Sequence, residues 1–239
     1  MLSHPEELHF VRGYDIVKKI VIFTAIQSEA NPMSEQKYIY VLFSATPYRM
    51  GRMIRVVTGE PYNHVSIALE EDLKELYTFA RRYYRTPFYG GFVTEHPYRY
   101  HHNGSTATIR LCRLPVSEEQ WQQLRQRIAH MSVHSGRYLY NHLSALLAPL
   151  HCKVTVRDAF TCAEFTVSVL QELGYDFSSR KFYTIGDIDE KLADFRFYDG
   201  DFPVPPEEDT LFFAPRPVSE TLYCSTRDIL RLIWRKAST

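Results

Sequence analysis

Two runs of the chain are apolar almost without interruption: YIYVLFS at residues 38 to 44, and HVSIAL at 64 to 69, which is apolar or small after its histidine. Runs of this kind predict central strands covered on both faces. Between them RMGRMIRVVTG (49 to 59) predicts a short helix, and Glu60 to Asn63 a turn. EED (70 to 72) predicts another turn, from which LKELYTFA (73 to 80) returns as a strand; ATIRLCRL (107 to 114) is a further strand. The stretch between them, RRYYRTPFYGGFVTEHPYRYHHNG, reads as a long loop with short strands that rims a cleft, because Gly, Pro and charge break its pattern.

The second half is helical in pattern. SEEQWQQLRQRIAHM (117 to 131) opens with Ser117 and Gln120 at capping-box spacing, and YNHLSALLAPL (140 to 150) and FTCAEFTVSVLQELG (160 to 174) follow. Beyond TIGDIDEKLADF (184 to 195) come a Pro- and acid-rich connection, DFPVPPEEDT, and a terminal amphipathic helix ending ILRLIWRK. Strands first and helices later predict an α+β domain over residues 37 to 200. Residues 1 to 36 are expected as an N-terminal extension, divided off by the polar stretch ANPMSEQ, and 201 to 239 as a C-terminal appendage.

Composition narrows the function. Twenty-eight basic side chains balance 28 acidic ones, so no overall field steers the chain toward nucleic acid or an anionic membrane. The 17 Tyr and 15 Phe suit a β-rich core or a groove for extended or ring-shaped ligands. Four widely spaced cysteines, Cys112, Cys152, Cys162 and Cys224, form neither a zinc motif nor a disulfide scaffold, which predicts reduced thiols and a cytoplasmic location. Nothing in the sequence reaches the ~18 apolar residues of a membrane span. KKIVIFTAIQSEA (18 to 30) is the nearest thing to an export signal, but it starts far from the N-terminus.

Cys162 is the candidate centre of chemistry. Thr161 and Glu164 make a capping box just ahead of Phe165, Val169, Leu170 and Leu173, and Gly174 supplies a stop, so the cysteine falls in a helix's first turn. Unpaired amides and the positive end of the helix dipole favour a thiolate there. Buried packing is the plainer alternative for Cys162; Glu164 is a candidate substrate contact, with capping as its plainer alternative. A nucleophilic thiol needs a base, and of ten histidines His64 is set apart because it opens a central strand and can project from the sheet's end. A satisfied core histidine is the alternative there.

Together YVLFSATPYRMGRMIRVVTGEPYNHVSIAL (40 to 69) and FTCAEFTVSVLQELGY (160 to 175) resemble the circularly permuted branch of the NlpC-type papain-like cysteine hydrolases, the YaeF/YiiX-like group related to lecithin retinol acyltransferase. In that branch the His-bearing strand precedes the Cys-bearing helix. The resemblance spans roughly residues 37 to 200. It implies a papain-like antiparallel sheet packed on the nucleophile helix, with Cys162 as nucleophile and His64 as base. It implies an orienting residue on the next strand, where Thr78 would stand opposite His64 across a three-residue turn; Tyr77 or Glu75 would serve if the register slipped. The Cys162 amide, with Tyr48 or Ser44, would serve the oxyanion.

The function expected is a cysteine peptidase or amidase acting on a peptide, amide or acyl substrate, with no metal or organic cofactor. Acyl transfer or lipid-ester hydrolysis is one alternative, and a binding module on the same fold another. Oligomeric state is not legible.

Overall fold

The structure, a computed structural model, describes residues 36–206 and 211–238. Gln36 apart, the expected extension and the apolar run within it lie outside the described residues. Residues Lys37–Thr239 belong to one compact unit, so the terminal helix is part of the domain rather than an appendage to it.

The strand pattern is realised early. β1 (Lys37–Ala45) leads through α1 (Arg49–Thr58) to β2 (His64–Ala68), β3 (Leu76–Arg81) and β4 (Gly90–Glu95). A single 3-10 turn at Pro97–Tyr100 precedes a small hairpin, β5 (His101–His102) and β6 (Ser105–Thr106), then β7 (Thr108–Val116) and α2 (Glu118–Val133). There follow β8 (Leu139–Tyr140), α3 (His142–Leu147), β9 (Ala159–Phe160), α4 (Cys162–Glu172), α5 (Ile185–Lys191), β10 (Arg196–Asp201) and α6 (Val218–Ala237).

Six strands form one sheet in the order β10-β7-β1-β2-β3-β4, with every neighbouring pair antiparallel. The molecule is thus mixed α+β, as the order of patterns predicts. Strand alternation divides the core between the sheet's faces. Val41, Phe43, Val65, Ile67, Phe79 and Phe92 join the helix residues Trp121, Leu124, Phe165 and Val169 in one cluster. On the other face Tyr40, Leu42, Ala68 and Leu76 pack with Tyr100, Ile109 and Phe202.

Two expectations need correction, and one strand adds to them. The β2–β3 connection is not a three-residue turn: β3 begins at Leu76, and Leu73 adopts the left-handed conformation (φ 52°) within a longer loop. Gly90–Glu95, in the stretch that reads as a loop with short strands, is a strand of 6 residues pairing along all of β3. Arg196–Asp201 is an edge strand on β7, unpredicted because its side chains are largely exposed and carry no apolar run.

Candidate active site

α4 starts as its sequence dictates. Thr161 is the N-cap in extended conformation, its hydroxyl accepting from the Glu164 amide (3.1 Å) while Glu164 Oε2 accepts from the Thr161 amide (2.8 Å). The cap takes up the amide of Glu164 and leaves that of Cys162 over, at the first helical position. Phe165 fixes the helix by packing on Phe79 and Phe92, with ring centroids 5.4 and 5.7 Å apart, so α4 lies across β2 and β3. Glu164 Oε2 also accepts from the Asn141 side chain (3.2 Å), whose Oδ1 caps α3 through the Ser144 amide (3.2 Å). The start of α4 is thereby tied to the start of α3. The parallel pairing of β8 with β9, directly before Cys162, adds a second tie.

His64 heads β2 and points its Nε2 into a buried polar cluster. Glu95 Oε2 lies 3.0 Å from that nitrogen and also accepts from Ser66 Oγ (3.0 Å) and Tyr100 OH (2.8 Å). Ser66 Oγ is itself 3.2 Å from Nε2. The second carboxylate oxygen of Glu95 receives Arg99 Nη1 at 3.3 Å, and both side chains are buried. Four donors on one carboxylate offset the cost of burying its charge.

The electrostatics follow from this cage. Burial alone would push His64 down, but the charge of Glu95, hydrogen bonding to Cys162 and Glu95, and the charge of Cys162 outweigh it and raise the imidazole to about 10. Burial would likewise raise Glu95. The charge and hydrogen bond of His64, then Arg99 and the Tyr100 hydroxyl, hold it well below the usual carboxylate range instead. Cys162 therefore acts on the same ring that Glu95 anchors. The hydrogen bonds of that ring among the described residues run from Nε2, to Glu95 and Ser66.

The expected residues divide. Ser44 sits directly opposite His64 on β1, fully buried, with no partner for its Oγ among the described residues, and the charge of Cys162 acts on His64. Thr78 is not an orienter. The pairing of Ile67 with Tyr77 places it opposite Ser66, and its hydroxyl donates to the Val65 carbonyl (2.8 Å). The Tyr77 hydroxyl is turned to Glu75 (2.6 Å), so neither alternative reaches the ring. Tyr48 is not an oxyanion donor, because its hydroxyl bonds the Arg99 carbonyl inside a cluster with Tyr84, His102 and Phe212. Glu164 forms the cap, with its Oε1 buried and without a partner among the described residues.

Sequence reasoning missed Glu95, one strand farther across the sheet than expected, and Tyr140, which lies near Cys162. Burial, then the charges of Cys162 and Glu164, raise the Tyr140 phenol far above its ordinary value, so it stays a proton donor. A signal for Glu95 was present: an acid closing the apolar run Phe92-Val93-Thr94 is affordable in a sheet only with a partner.

All four cysteines are free. Cys112, buried in β7, is pushed up to about 12 by burial and the charge of Asp189, which marks it as inert packing. Among the described residues no group of three His, Cys, Asp or Glu is placed to hold a metal ion, and no helix is long and apolar enough to cross a membrane. No family model, curated protein or solved structure matches the chain.

Proposed function

We propose that the chain is a cysteine hydrolase of the permuted papain-like kind, cleaving an amide bond through Cys162, His64 and Glu95. The observation that carries this reading is the histidine shared between a buried carboxylate on Nε2 and the thiol at a capped helix start. Glu95 keeps His64 charged at neutral pH, and an imidazolium beside the thiol favours the thiolate as the attacking form. The thiolate adds to the substrate carbonyl carbon, and the carbonyl π pair moves to oxygen. In this reading the Cys162 amide receives that oxyanion, with the Tyr140 hydroxyl as a second donor. Collapse breaks the C–N bond, and the leaving amine takes its proton from His64. Water then attacks the thioester, returns a proton to His64 and regenerates the thiolate as the acid departs.

Iodoacetamide labelling of the four cysteines, resolved by peptide mass spectrometry at neutral pH, tests this. Cys162 is buried and Cys152 exposed, so access alone favours Cys152. The expected result is that Cys162 labels first, and that His64→Ala or Glu95→Gln slows it below Cys152. Labelling that follows exposure in wild type removes the hydrolase and leaves a binding module on this fold.

A further inference from the structure

α6 is inverted. A surface helix normally turns its apolar stripe to the core. Here the buried positions are Ser225, Asp228 and Leu232, whereas Leu222, Tyr223, Leu230, Ile233 and Trp234 all face outward, from 53% exposed at Ile233 to 67% at Tyr223. Helical spacing puts these five on a single face, with Thr226 among them.

Leu232 joins Leu139, Val156 and Ala159 in a small apolar cluster, and polar contacts make the rest of the attachment. Arg231 donates to the Gly136 carbonyl (3.1 Å) and Arg235 to those of Arg137 (3.1 Å) and Arg157 (3.3 Å). Arg227 pairs with Asp228 (3.0 Å). These contacts direct the guanidinium groups away from the apolar face, and so away from the phosphates an anionic bilayer would offer.

We propose that this face is a self-pairing surface, with a second copy of the chain as its occupant. The spacing is self-complementary: Asp228 stands midway between Leu222–Tyr223 and Ile233–Trp234. A two-fold axis crossing the helix at that level sets two copies antiparallel, Leu222 against the partner's Ile233 and Tyr223 against the partner's Trp234, with Thr226 and Leu230 at the centre. An isologous contact of this kind requires such a palindrome. At about 150–250 Å² for a fully buried aromatic, two rings and three aliphatics at these exposures offer on the order of 600 Å² per copy. A pair then buries about 1,200 Å², the lower end of specific interfaces.

Sedimentation equilibrium of the full chain from about 1 μM to about 1 mM, a span covering moderate affinities, reads the outcome. The mass should approach that of two chains as concentration rises. Leu222→Glu and Ile233→Glu should each raise the dissociation constant at least about 100-fold, with the helical circular dichroism unchanged. Val56→Glu, an exposed aliphatic on α1, should leave the mass curve as it is. A chain that stays monomeric overturns the proposal. So does a dimer that survives both α6 substitutions, or a monomer that instead sediments with phosphatidylcholine–phosphatidylserine vesicles.

Discussion

The two halves of the site are held by opposite means. His64 stands in a cage of polar groups, with Glu95, Ser66, Tyr100 and Arg99 linked by bonds of 2.8 to 3.3 Å and all buried. Cys162 is set by apolar packing of Phe165 and by a cap at the helix start. The difference matters because charges in low dielectric are intolerant of losing a partner, whereas a capped, packed helix loosens by degrees. The base half is therefore expected to be brittle and the thiol half forgiving.

Removing the central carboxylate is the harshest break. Glu95→Ala leaves the guanidinium of Arg99 and the ring of His64 buried without their counter-charge, and should cost about 3–5 kcal/mol in urea unfolding. A loss below about 1 kcal/mol would mean the cage is not closed in solution.

The pH dependence of stability comes next. A raised His64 stabilises fully below its ordinary value of 6.5, and that contribution fades as pH climbs through about 10. A depressed Glu95 stabilises fully above its ordinary 4.5, and that contribution fades as pH falls below it. Unfolding free energy should form a plateau between these two ordinary values and decline on the alkaline side. His64→Ala should flatten the alkaline decline. An unchanged alkaline limb in that variant would assign it to other groups.

On the thiol half, Thr161→Ala removes the cap and should cost only about 1 kcal/mol. It should slow alkylation of Cys162 while thermal melting remains cooperative. Smallest of all is Thr78→Val. Its hydroxyl serves the Val65 carbonyl rather than the ring, so the labelling rate of Cys162 should not move. A rate falling as far as in Glu95→Gln would return Thr78 to the orienting role.

The same contrast explains what the sequence disclosed. β1 and β2 were legible because their apolar runs have no other use than a two-sided core, and α4 because Thr161 and Glu164 report its first turn directly. β4 was hidden: two glycines open it and a basic, aromatic loop surrounds it. Those glycines are needed because a Cβ on Gly91 would come within 2.2 Å of the Tyr138 carbonyl oxygen. With β4 obscured, the acid that closes it is the sole sign of Glu95, and the spacing after His64 points to β3 instead. Local pattern reports caps and strands, whereas a partner two strands away depends on sheet order, which spacing does not encode.

The order of the site along the chain has a consequence for synthesis. His64, Glu95, Arg99 and Tyr100 all precede α2, while Cys162 follows α3 and the edge strand β10 comes later still. Domains emerge from the ribosome N-terminus first. On the proposed reading, a nascent chain carries its acid–base cluster before it has a nucleophile, and no armed thiol faces other polypeptides until α4 has emerged and docked across β2 and β3.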